Sequence, residues 1–99
     1  MKKTFVLSTL AVTVLTLFSC KRQGYVEFHN RSVTNRSYDV VWDGSVIATL
    51  YPQEDSEQFE VNEGHHTLRF EFSNSGDVAC DPADPNITAD YISTFTCSQ

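Results

Sequence analysis

Tyr38-Asp39-Val40-Val41-Trp42-Asp43-Gly44-Ser45-Val46-Ile47-Ala48-Thr49-Leu50 is the stretch on which the fold turns. Two β-rich runs flank an Asp-Gly pair, and a type I′ hairpin turn needs such a pair because both central residues take positive φ. A two-residue turn sets a register: Trp42 opposite Ser45, Val41 opposite Val46, Val40 opposite Ile47 and Tyr38 opposite Thr49. Side chains alternate across a strand. One face then carries Tyr38, Val40, Trp42 and Ile47, which we assign to the core; the other carries Asp39, Val41, Val46, Ala48 and Leu50. On this reading Val41, Val46 and Leu50 form an outer apolar surface, either covered by a loop or terminus or free as a candidate interaction patch.

The same period of two extends outward along the chain. Strands are expected at Tyr25–His29, Arg36–Trp42, Ser45–Leu50, Gln58–Val61, His65–Phe72 and about Ala89–Cys97. No window keeps apolar residues at a 3.6 period over three turns, and turn residues recur every few positions. This predicts an all-β domain, a small antiparallel β-sandwich of about six to seven strands. In His65–Phe72, His66, Leu68, Phe70 and Phe72 point to the core and Thr67, Arg69 and Glu71 to solvent. Phe59 and Val61 supply its facing strand through a tight hairpin at Asn62-Glu63-Gly64. Ser73 to Asn86, rich in Ser, Asn, Gly, Asp and Pro, reads as a loop.

The first residues read as an address. Lys2 and Lys3 precede an uncharged run from Thr4 to Ser19. As a helix this run spans roughly 24 Å, short of the ~30 Å hydrocarbon core, so a cleaved secretory signal is expected over a permanent span. It ends in Leu17-Phe18-Ser19-Cys20, which resembles a bacterial lipobox. That resemblance implies cleavage before Cys20, a diacylglycerol thioether on its sulfur, and N-acylation; two or more chains hold stably where one holds marginally. The expected division is a signal peptide at 1–19, a lipidated Cys and short tether at 20–24, and a β-sandwich domain at 25–99. Lys21 to Gly24 reach about 14 Å, so the domain sits almost on the bilayer.

Cysteine parity agrees with the address. With Cys20 lipidated, Cys80 and Cys97 remain as an even pair for a structural disulfide, as small exported domains commonly carry.

The run Tyr38 to Pro52, followed by Phe59-Glu60-Val61-Asn62-Glu63-Gly64-His65-His66-Thr67-Leu68, resembles PEGA-like, immunoglobulin-like small β-sandwich modules. The resemblance implies a sandwich fold and a non-catalytic accessory or adhesion-type role.

Composition narrows function further. With Lys2 and Lys3 removed, the seven basic residues fall to five against thirteen Asp and Glu, a net charge of −8. This argues against a nucleic-acid binder, which needs a basic surface to displace counterions. No nucleophile elbow, zinc-protease motif or Gly-rich phosphate loop occurs, so no enzymatic activity and no cofactor are expected. His65 and His66 are adjacent on a strand and point apart, so no metal site is expected there. Asp77, Asp81, Asp84, Asn86 and Asp90 crowd one segment and could hold calcium, but lack the spacing of a helix-loop-helix calcium site. The sequons at Asn30, Asn35 and Asn86 read as chance in a bacterial lipoprotein.

The expected protein is an envelope lipoprotein, anchored to the membrane through its N-terminal lipid. The default place is the outer membrane facing the periplasm, with surface exposure as the variant, and an envelope protein as candidate partner. Two alternatives accompany a plain binding or structural role. One is a small acidic inhibitor or immunity-type protein acting on a cationic hydrolase such as lysozyme, since opposite charge speeds association. The other is a carbohydrate-binding module using exposed aromatics such as Tyr25 or Tyr51.

Overall fold

The structure, a computed structural model, describes residues 22–99. The expected leader and Cys20 lie outside the described residues. Nine strands follow in order: β1 Gln23–Asn30, β2 Tyr38–Trp42, β3 Ser45–Leu50, β4 Phe59–Asn62, β5 Gly64–His65, β6 Leu68–Phe72, β7 Val78–Ala83, β8 Asn86–Ile87 and β9 Ile92–Cys97. They form a three-stranded sheet in the order β9-β1-β4, a four-stranded sheet in the order β3-β2-β6-β7, and a β5-β8 ribbon. The domain is all-β and consistent with the small β-sandwich that the alternation predicts. Its strand count is raised by β7 and by the two short ribbon strands. The pairings are antiparallel except β9 with β1, which run parallel with Ile92 opposite Tyr25 and Cys97 opposite Asn30.

Period-two burial explains why the sheets face each other. Along β1, Val26, Phe28 and Asn30 are buried while Tyr25, Glu27 and His29 are partly open. Phe28 is the hub of the core. Its ring lies 5.8 Å from Trp42, 6.0 Å from Phe59, 6.2 Å from Phe70 and 5.9 Å from Phe95, so it touches both sheets. Val26, Val40, Leu50, Leu68, Ala79 and Ile87 fill the space around it. Edge-to-face contacts such as Phe28 on Trp42 add about 0.5–1.5 kcal/mol each beyond area burial.

The central hairpin forms as its turn chemistry requires. Asp43 and Gly44 have φ of 50° and 84°, and Trp42 faces Ser45 with Val41 facing Val46. Beyond that the register slips by one residue. Val40 faces Ala48 and Tyr38 faces Leu50, because Ile47 is an extra residue on β3. The expected outer patch of Val41, Val46 and Leu50 does not form, and for Leu50 the bulge is the reason. Leu50 turns inward and is 2% exposed, Val41 is covered at 6%, and Val46 alone stays open at 57%. Ala48 joins Ile47 against the core.

A second correction concerns the hairpin expected at Asn62-Glu63-Gly64. Gly64 has a φ of 109°, but the chain there crosses between sheets. β4 pairs with β1, Val26 opposite Phe59, whereas β6 pairs with β2 and β7. A third lies in the segment read as a loop, where Val78–Ala83 forms strand β7. Pro82 is tolerated because β7 is an edge strand with one side free of ladder bonds. The Cys80–Cys97 disulfide joins β7 to β9, the edge strands of the two sheets, with Cα atoms 6.0 Å apart.

Candidate functional site

The two ends of the sandwich differ. We call the end where β1 starts the base, and the end where it finishes the crown.

The crown is organised by two polar residues buried among the described residues, Asn30 and Ser32. Asn30 occupies a core-facing position of β1 and is fully buried. Its Nδ2 donates to the carbonyls of Arg36 at 2.9 Å and Leu50 at 3.0 Å, and its Oδ1 accepts from Ser32 N–H at 2.8 Å. Ser32 Oγ accepts from the backbone N–H groups of Thr34 and Arg36 and donates to the Gln99 carbonyl at 2.9 Å. Tyr38 also donates its hydroxyl to Gln99 O at 2.6 Å. The Asn30 amide thus ties the end of β1 to the loop into β2 and the end of β3, and the Ser32 and Tyr38 hydroxyls add the segment after β9. The loops it holds present Val33 at 79% and Tyr51 at 68% exposure. Arg36 stacks its guanidinium 3.6 Å from the Phe72 ring centroid and donates to Asn74. Buried as it is, Asn30 is no surface sequon.

Beside the crown, His29 lies between Glu27 at 3.5 Å and Asp55 at 3.6 Å, and Arg31 pairs with Asp55 at 2.6 Å. These groups project from the outer face of β1 and the loop that bridges to it. Among the described residues no three His, Cys, Asp or Glu side chains come together so as to hold a metal ion. The acidic segment considered for calcium is drawn out along β7 and β8, which separates Asp81 from Asp84 and Asn86.

The base carries a different cluster. His66 is stacked on Trp42, ring centroids 4.8 Å apart. Its Nδ1 lies 2.6 Å from Asp43 Oδ2 and its Nε2 lies 2.7 Å from the Asn62 carbonyl. Both neighbours are acceptors, so the two bonds are complete only when both ring nitrogens carry protons. Asp43 Oδ1 also accepts from Thr67 N–H at 2.9 Å. Partial burial by itself would raise the Asp43 carboxyl. The bonds from His66 and Thr67, with the charges of His66 and His65, outweigh it and hold the group below the ordinary carboxylate range. The cluster pins the β2–β3 turn to the β4–β6 crossover. His65, the last residue of β5, is exposed, whereas His66 lies in the link between β5 and β6 and not beside it on one continuous strand.

Also at the base, Arg22 forms an ion pair with Asp90, and its N–H and carbonyl meet Glu63. Arg22, Gly64, Ile87, Thr88 and Tyr91 line a broad, open depression. Gly24 is what lets β8 lie so close to β1. A Cβ there would meet Ile87 Cγ2 and the Thr88 carbonyl oxygen at 2.6 Å.

Of the sequence-derived candidates, Cys80 and Cys97 are joined, Val41 and Leu50 are covered, and Val46 stands alone. Tyr25 and Tyr51 lie towards opposite ends, since Asn30, five residues along β1 from Tyr25, is the residue that bonds Leu50; about 16 Å of strand separates them. They do not make one aromatic strip. The Asn30 network was missed, though a polar side chain on the core face after Val26 and Phe28 was the available signal. The chain matches no family model and no curated protein.

Proposed function

We propose that this chain is an exported envelope lipoprotein with a non-catalytic binding or structural role, held by lipid on Cys20 at the outer membrane's periplasmic face. The observation that carries the reading is Leu17-Phe18-Ser19-Cys20 closing an uncharged leader, two residues before the folded part is under way at Arg22. Support for binding comes from the crown, whose loops are fixed from within and carry exposed Val33 and Tyr51. Pre-fixed loops lose little conformational entropy on docking. In growing cells, labelled palmitate should enter the protein, and the Cys20→Ser variant should not take it up. An unlabelled wild-type chain overturns the anchor.

One observation favours the inhibitor reading as a second choice. Among the described residues thirteen carboxylates face four arginines, and three of those arginines are already in ion pairs. Such a surface suits a cationic protein partner. Salt-sensitive inhibition of a cationic hydrolase would support it, and no inhibition across a panel would remove it.

A further inference from the structure

We infer that the base of the sandwich is a lipid-facing surface, with Tyr91, Ile92 and Tyr25 resting in the head-group layer of the membrane that holds the protein. The inference rests on the lipoprotein reading and adds to it a fixed orientation of the domain.

Its first support is the absence of slack. Arg22 is gripped from two sides, by Glu63 through both of its backbone groups and by Asp90 through its guanidinium. A single residue, Lys21, separates it from Cys20. Two Cα steps reach about 7 Å. An acylated Cys20 must lie at head-group depth, and that layer is itself roughly 5–7 Å thick on each side of the bilayer. Arg22 is therefore in or at the layer, and whatever surrounds Arg22 comes with it.

The second support is what surrounds it. The backbone N–H of Asp90 bonds the Gln23 carbonyl, and that of Tyr25 bonds the Tyr91 carbonyl. These bonds place the start of β9 beside the start of β1. The parallel register then sets Ile92 next to Tyr25 on the outer face of the sheet. Tyr91 is 66% exposed and Ile92 55%. Tyrosine favours the membrane–water interface because its ring is apolar and its hydroxyl stays wet.

The third support is charge. The protein is strongly acidic and would be repelled from an anionic surface, but three of the carboxylates at this end are engaged. Asp90 is neutralised by Arg22, Asp43 is bonded to His66, and Glu63 accepts from the Arg22 backbone. Of the carboxylates without a side-chain partner among the described residues, Glu60 opposite Tyr25 and Asp84 beside Pro85 lie at this same end, so the match there is partial.

The test uses the acylated protein isolated from membranes and placed in phosphatidylethanolamine/phosphatidylglycerol vesicles containing brominated phosphatidylcholine. Wild type supplies the baseline, because Trp42 is the one tryptophan and is buried. Tyr91→Trp should lose most of its added emission to the bromines, and Tyr51→Trp at the crown should keep it. Both positions are exposed, so both variants should fold. Equal loss at both positions, or no loss for Tyr91→Trp on protein shown to be acylated, overturns the orientation alone. Mass spectrometry showing unmodified Cys20 overturns the anchor and the orientation together.

Discussion

Asn30 sits where the alternation of β1 calls for an apolar side chain, and its amide serves three backbone groups at once. Asn30→Leu keeps the volume and removes the amide. Each buried group left unpaired costs about 1–3 kcal/mol. We expect a loss of at least ~2 kcal/mol in urea unfolding and faster hydrogen exchange at Ser32 and Arg36. An unchanged midpoint would show that water replaces the amide. Asp43 supplies a pH-dependent prediction. Its carboxyl is lower in the folded than in the unfolded chain, so its contribution is present above the ordinary carboxylate range. It fades as pH falls through the lowered value. Asp43→Asn keeps an acceptor for Thr67 N–H but turns an amide NH2 or a weaker acceptor towards His66. The stability gap between wild type and variant should be open at neutral pH and close in acid; a gap constant with pH contradicts the arrangement.

Among the elements, the edges matter most. The Cys80–Cys97 bridge closes a loop with a sequence separation of 17 and joins the outermost strands of both sheets. The paired Cys80→Ser and Cys97→Ser change should cost about 3 kcal/mol and expose the β7 and β9 amides to exchange. Gly24→Ala tests the opposite junction. Its Cβ would strike the Thr88 backbone, so β8 must move away, lowering the melting temperature and releasing the β5–β8 pairing. At this scale the limits of sequence reading are visible. The Asp43-Gly44 turn was legible because the turn type demands those residues, and β1 and β6 were legible because their two faces differ. The bulge at Ile47 was not, because Ile47 and Ala48 are both acceptable on either face. β7 was hidden by Asp81 and Pro82, residues that an edge strand tolerates and a central one does not. The β4–β6 crossover looked like a hairpin because a positive-φ glycine suits both. The crown network is long-range in sequence, from Asn30 to Leu50, and only its polar residue in an apolar position hinted at it.

For the whole molecule, charge is the dominant global variable. Carboxylates exceed arginines by nine among residues 22–99, thirteen against four. Such imbalance disfavours the compact state through self-repulsion, and salt screens it over about 10 Å at 0.1 M. The urea midpoint should therefore rise as sodium chloride goes from low to physiological strength. A falling midpoint would mean that the arginine ion pairs outweigh the repulsion.

The side-by-side arrangement of β1 and β9 has a consequence in time. Parallel neighbours cannot be closed by a tight turn, and here everything from Arg31 to Tyr91 lies between them. A chain crossing a membrane N-terminus first delivers β1 early and its partner last. Until β9 arrives, one flank of β1 and the floor beneath Phe28 stay bare, which is the kind of surface that sticks to other chains. The slowest event in folding should then be the docking of the last strand, with thiol oxidation following as a latch. On the export proposed above, pulse-chase trapping of free thiols should find Cys80 and Cys97 reduced until the rest of the domain resists protease.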